Sequence, residues 1–283
     1  MKSIVIAGDS YGVGEWGHPL RYSNDLQLEW EKFYNVKKKK SWPDCPKFEK
    51  IYTLPTYVWK ELNDIHGFVY TFYDISQYYC LHKGLEQYFT DIGHSVINLS
   101  SGGRSNYNSI SDLTKQQNLN DCICIWIQTD PFRDFRDGSF LNEAKTYEHM
   151  IEMQQTQLYK TYQKLNHLNQ IIYCIGGCSK LDLALLENFN NLIPVAESLL
   201  TLIDPTYTHP EFWFSSWYKD INRHFSIDDL DKLLYNKLLQ DSLADRLELF
   251  WPDGGHPNRH GYKKAFTYIY EFLKKHEDIF RRT

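Results

Sequence analysis

Ile4-Val5-Ile6-Ala7-Gly8-Asp9-Ser10 is a short apolar run that ends in three turn-forming residues. A compact run rich in β-branched side chains reads as a buried strand, and Gly, Asp and Ser favour the turn that follows it. Ser10 therefore belongs at the carboxyl end of a first strand, the edge where open α/β sheets bind ligands. Similar runs recur at residues 94–99, 122–128 and 170–175. A fifth strand is placed within residues 193–203, where a helix fits nearly as well. Between the runs, residues 76–90, 105–117 and 142–168 carry apolar side chains at mixed three- and four-residue spacing, and Ile92-Gly93 closes the first of these like a C-cap. Strands alternating with helices predict an α/β fold with a parallel sheet covered on both faces.

Near the other end of the chain stands Asp253-Gly254-Gly255-His256-Pro257. With Ser10 it completes a set of three residue types that work together. A serine hydroxyl becomes nucleophilic at neutral pH when an imidazole takes its proton, and a carboxylate fixes the imidazole tautomer and stabilises the imidazolium. A glycine-containing block, Val96-Ile97-Asn98-Leu99-Ser100-Ser101-Gly102-Gly103, follows the second strand.

These three blocks together resemble the SGNH (GDSL-like) hydrolases, whose serine lies in an N-terminal G-D-S and whose Asp and His form a C-terminal D-x-x-H. The resemblance implies a three-layer α/β/α fold with a mainly parallel, flavodoxin-like sheet of about five strands. It implies Ser10, Asp253 and His256 as the catalytic triad, with the backbone N–H groups of Ser10 and Gly103 in the oxyanion hole. The family usually continues after its third strand with G-x-N-D, whose Asn amide is another oxyanion donor. Here the chain reads Gln128-Thr129-Asp130-Pro131. An ionised Asp130 accepts hydrogen bonds and repels an oxyanion, so it cannot inherit the Asn role as a carboxylate. Strand alternation puts the Gln128 amide and the Thr129 hydroxyl on opposite faces; Gln128 is the favoured substitute. Trp16, Arg104, Asn106 and Arg133 are candidate substrate-binding residues. The stretches from Gly8 to Trp16 and Gly103-Arg104-Ser105-Asn106 also look like SGNH proteins encoded by bacterial viruses.

The expected activity is thus cofactor-independent hydrolysis of a small acyl ester, with an acetyl ester on a carbohydrate as the leading substrate. The family also holds lipases, thioesterases and acyltransferases, which the triad does not separate. A rival expectation is a glycan-binding or virion structural protein that keeps the fold without turnover.

Composition narrows the alternatives. Gly12-Val13-Gly14-Glu15-Trp16-Gly17 spells a dinucleotide-binding fingerprint, but His18-Pro19 follows where a helix should begin, and the region around Glu29 is charged where a second strand is required. A net charge of -5 argues against nonspecific nucleic-acid binding, and Lys37 to Lys40 is the only basic run. No stretch approaches the roughly 20 apolar residues of a membrane span. Met1-Lys2-Ser3 leads straight into the first strand with no signal-peptide pattern, so a cytoplasmic or virion-associated location is expected. The six cysteines read as structural thiols, and no metal site is expected, since His256 and His260 lack a third ligand.

At 283 residues, with 42% hydrophobic content and no linker or repeat, one domain is expected. It carries aromatic-rich insertions around residues 15–73 and 206–224. The first holds Trp16, Trp30, Trp42 and Trp59, half of the eight tryptophans. Asp130, Asp134 and Asp137, interleaved with Arg133 and Arg136, read as a salt-linked surface loop.

Overall fold

A computed structural model describes residues 3–14, 83–135, 144, 146–211, 225–242, 249–250, 256–257 and 259–277. In chain order its elements are β1 (Ser3–Ala7), α1 (Ser10–Val13), α2 (Gly84–Asp91), β2 (Val96–Asn98), α3 (Asn106–Lys115), β3 (Cys122–Gln128) and α4 (Tyr147–Asn166). There follow β4 (Ile172–Gly176), α5 (Leu183–Leu186), β5 (Leu192–Ala196), α6 (Leu199–Ile203), α7 (Ile227–Asp241) and α8 (Arg259–His276). The five strands form one sheet in the order β2-β1-β3-β4-β5, and every pairing is parallel. This is the parallel α/β sheet that the alternation of runs predicts, in the flavodoxin-like order that the resemblance implies.

Strand periodicity sorts the core into two layers. On one face Ile4, Ile6, Ile123, Ile125, Ile127 and Ile175 pack against Leu85 and Phe89 of α2, Leu199, Leu200 and Ile203 of α6, and α8. On the other, Val5, Ala7, Cys124, Trp126, Ile172 and Cys174 meet Ile110 and Leu113 of α3 and Leu158, Tyr162 and Leu165 of α4. Successive side chains of one strand go to opposite layers, as the two-residue repeat requires. Each fully buried aliphatic or aromatic side chain contributes about 1.5–3 kcal/mol.

Tyr262, Ala265, Ile269 and Leu273 of α8 are all fully buried at three- and four-residue spacing. They dock the C-terminal helix against α2 and α6 on one face of the sheet, and the Tyr262 hydroxyl donates to the Tyr11 carbonyl at 2.8 Å. Packing of the last helix on this face, with its hydrogen bond to the turn after β1, brings the two ends of the sequence together.

The expected fifth strand and its rival helix are both present. Residues 192–196 form the edge strand and residues 199–203 form α6, started by a Ser198 cap. Helix α4 likewise starts on a Thr146 cap, and α2 begins only at Gly84. Gly84 has φ +51°, and a β-carbon there would lie 2.7 Å from the Gly14 Cα. Among the described residues no helix is long and apolar enough to cross a membrane.

Candidate active site

Ser10 opens α1 directly beyond the carboxyl end of β1. Asp9 caps this turn: its Oδ1 accepts from the Tyr11 N–H at 3.0 Å, and its carbonyl accepts from the N–H groups of Gly12 and Val13. Capping thus accounts for the amides of residues 11–13 and leaves the Ser10 N–H outside it. The Ser10 Oγ lies 2.8 Å from the Nε2 of His256, 246 residues away in sequence. Tyr11 stacks on the His256 ring with centroids 5.0 Å apart. An isolated antiparallel bridge between Phe250 and Pro257 braces the segment that bears the imidazole. Asp253 and Trp16 lie outside the described residues, as do residues 15–73 and most of 206–224.

Beneath Ser10 sits a buried polar cluster. The Asp9 carboxylate is fully buried, and its Oδ2 accepts from the Thr129 hydroxyl at 2.5 Å and from Arg133 Nη1 at 2.8 Å. Burial opposes the Arg133 charge, but Asp9 and Asp130 outweigh it and hold the guanidinium above its ordinary pKa. Arg133 therefore neutralises Asp9 instead of lying on a surface loop or presenting itself to substrate. Asp134 does not join it: one carboxylate oxygen accepts from the Tyr107 N–H at 2.7 Å and the other from Gln157 at 3.3 Å. Of the expected salt-linked loop, Arg133 and Asp134 instead anchor the exit of β3 to β1, α3 and α4, and Arg136 and Asp137 lie outside the described residues.

Two further expectations are corrected. Gln128 is fully buried on the α4 side of the sheet, where its Oε1 accepts from the Tyr162 hydroxyl at 2.8 Å and its Nε2 donates to the Lys180 carbonyl at 2.5 Å. With both ends of the amide engaged away from Ser10, it is no oxyanion donor. Asn106 is also fully buried; its Oδ1 accepts from the Thr129 N–H at 2.8 Å and its Nδ2 donates to the Thr129 carbonyl at 3.1 Å. It holds the β3 exit in place and offers no surface to a substrate. Arg104 turns back along α3 to Asp112 at 3.2 Å.

Gly103 lies in the loop between β2 and α3 with φ +72°, the left-handed conformation that favours glycine. Nothing stands within 4 Å of the position its β-carbon would occupy. The same loop touches the turn bearing Ser10 through the Ser101 N–H, which donates to the Gly8 carbonyl at 3.3 Å. Asn98 at the end of β2 donates to the Gly12 carbonyl at 3.0 Å and to Glu86 at 3.1 Å. The first glycine of the apparent dinucleotide fingerprint serves this packing: a β-carbon on Gly12 would lie 2.1 Å from the Ser100 hydroxyl oxygen.

Asp130 is 2% exposed. Its Oδ1 caps the turn Pro131–Asp134 by accepting from the Phe132 N–H at 2.9 Å, whereas its Oδ2 is buried without a hydrogen-bond partner among the described residues. Burial pushes its pKa up to about 6 against the pull of Arg133. Cys124, Cys174 and Cys178 are buried thiols outside any disulfide, and burial raises the pKa of all three. No cluster of metal-ligating side chains occurs among the described residues.

Sequence reasoning missed Thr129 and Asn106 as the clamp between β3 and the turn bearing Ser10. Their partners are Asp9 and the main chain of Thr129, and no local pattern announces contacts across 120 and 23 residues. No known protein family, curated protein or solved structure matches the chain.

Proposed function

We propose that the protein is a serine hydrolase of the SGNH type acting on a small acyl ester. One observation carries this reading: the 2.8 Å contact between Ser10 Oγ and His256 Nε2, made at the carboxyl edge of a parallel sheet by residues from opposite ends of the chain. In the working tautomer the serine hydroxyl donates to Nε2, and the D-x-x-H pattern assigns Asp253 as the carboxylate that orients the imidazole. Ser10 attacks the ester carbonyl while His256 takes its proton. The imidazolium then returns a proton to the departing alcohol, and water activated by the same imidazole releases the acid. The Ser10 and Gly103 amides stabilise the tetrahedral oxyanion.

An acetyl ester on a carbohydrate is the substrate class this reading favours, supported by the tryptophans of residues 15–73, whose faces suit stacking on sugar rings. The test is hydrolysis of p-nitrophenyl esters of increasing acyl length beside an acetylated oligosaccharide. Acetate release by the wild type and its loss in Ser10→Ala are expected. Turnover by Ser10→Ala at the wild-type rate removes the mechanism, and preference for long acyl chains removes the carbohydrate substrate.

A further inference from the structure

The turn that bears Ser10 is built on a buried carboxylate. Asp9 Oδ1 accepts from the Tyr11 N–H at 3.0 Å and the Asp9 carbonyl accepts from Gly12 and Val13, so Ser10 sits inside the cap that its neighbour makes. That carboxylate is wholly shut off from water, where an anion needs a cation and hydrogen bonds beside it. Arg133 Nη1 supplies the cation at 2.8 Å and the Thr129 hydroxyl the hydrogen bond, both on Oδ2.

Arg133 comes from the turn Pro131–Asp134 after β3. The entry to that turn is fixed by Asn106, which holds the N–H and the carbonyl of Thr129 at 2.8 and 3.1 Å. The sheet and α3 thus set the guanidinium in place before any substrate arrives. Asp9 holds that cation more strongly than Asp130 does.

The position of the pair matters for charge. The Ser10 N–H belongs to the peptide unit that joins Asp9 to Ser10, whereas His256 meets Ser10 only at the far end of its side chain. A net negative charge on Asp9 is therefore covalently nearer to an oxyanion on the Ser10 amide than to the imidazole. Like charges in a dry site repel strongly, because little water screens them.

Resting on the hydrolase reading above, we propose that Arg133 is a positioning residue for the reaction: through Asp9 it holds the Ser10 turn and cancels a buried negative charge that would oppose the oxyanion. No bond to Arg133 forms or breaks, and its protons stay in place.

A charge role and a purely structural role separate in the single variants. Removing either partner leaves the other charge buried and unpaired, so Arg133→Met and Asp9→Asn both lose stability. The charges left behind have opposite signs, and so should the effects on turnover. Asn at position 9 keeps an oxygen for the Tyr11 N–H and gains an amide that donates to the Thr129 hydroxyl, so the cap itself survives.

The test measures kcat and KM on p-nitrophenyl acetate at pH 8, with melting temperatures, for wild type, Arg133→Met, Asp9→Asn and the double variant. Arg133→Met should lower kcat by about tenfold or more at nearly constant KM, the scale of one unit charge several ångströms away in a partly screened site. Asp9→Asn should raise kcat by about threefold although it melts lower, and the double variant should regain about fivefold or more over Arg133→Met. A folded Arg133→Met with the wild-type kcat overturns the proposal. So do single variants that slow alike, because the pair then serves structure alone. Where the single variants do not fold, the double variant decides, since it removes both members of the pair. Its kcat within about tenfold of wild type supports the proposal; a slower rate, or failure of the double variant to fold, overturns it. Failure of wild-type Ser10 to react with a fluorophosphonate at any pH instead overturns the hydrolase reading on which the assignment rests.

Discussion

Asp9 shows how one side chain can serve both fold and chemistry. It caps the turn bearing Ser10, and it is buried at no exposure because Thr129 and Arg133 satisfy its other oxygen. Replacing Arg133 by Leu would leave that carboxylate buried without its cation, a change that costs about 3 kcal/mol. A urea midpoint lowered to match is the expected readout, and an unchanged midpoint would show that the pair contributes nothing. Asp130 acts on stability in the opposite sense. Its native pKa of about 6 lies above the ordinary carboxylate value, so between roughly pH 4 and 6 the native state keeps a proton that the unfolded chain has lost. Stability from this group is therefore full below pH 4 and falls as pH rises, by about 3 kcal/mol in all. Asp130→Asn should abolish that decline, which urea titrations at pH 4, 6 and 8 would measure. The turn was legible in Gly8-Asp9-Ser10, because turn preference is a local property of adjacent residues. The Arg133 pairing was not, because a charge near an apolar strand reads as surface until its buried partner is known.

Between elements, fit is set by close approaches that sequence hardly marks. Gly12 lets α1 lie against Ser100 at the end of β2, and Asn98 bridges the same strand to α1 and α2. Gly12→Ala should cost about 1–3 kcal/mol by overpacking, and combining it with Ser100→Gly should recover part of the loss. Additive losses in thermal or urea unfolding would mean that the two positions do not meet. Strands β1 and β3 were readable from their unbroken apolar runs. Strand β5 was blurred because Pro194 interrupts Leu192–Ala196, which an edge strand tolerates, and because α6 follows within three residues. Gln128 was misassigned for a related reason. Alternation correctly separates it from Thr129, but which face holds the site depends on where α4 packs, and Tyr162 lies on the Gln128 side.

Across the whole molecule, α8 docks against α2 and α6 on one face of the sheet and His256, just before it, meets Ser10, so stability and site assembly are linked. Tyr262→Phe removes the hydrogen bond to the Tyr11 carbonyl and should lower stability by about 1 kcal/mol while loosening the nucleophile turn. Acid should weaken the fold through His209, which burial lowers to about 4. Its native pKa is depressed, so the unfolded chain binds the proton first and stability falls as pH drops from about 6.5 to 4. His209→Gln should flatten that part of the stability profile in urea titrations. An unaltered slope would place the acid sensitivity elsewhere. The convergence of chain ends was foreseeable from the chemistry of three residue types, whereas the clamp of Asp9, Thr129, Asn106 and Arg133 required the assembled sheet. The contact between Ser10 and His256 is tested most directly by peptide mapping after fluorophosphonate treatment of wild type and His256→Ala. The expected result is a single adduct on Ser10, formed at least 100-fold more slowly without the imidazole. An adduct elsewhere, or labelling of Ser10 at an undiminished rate in His256→Ala, would contradict it.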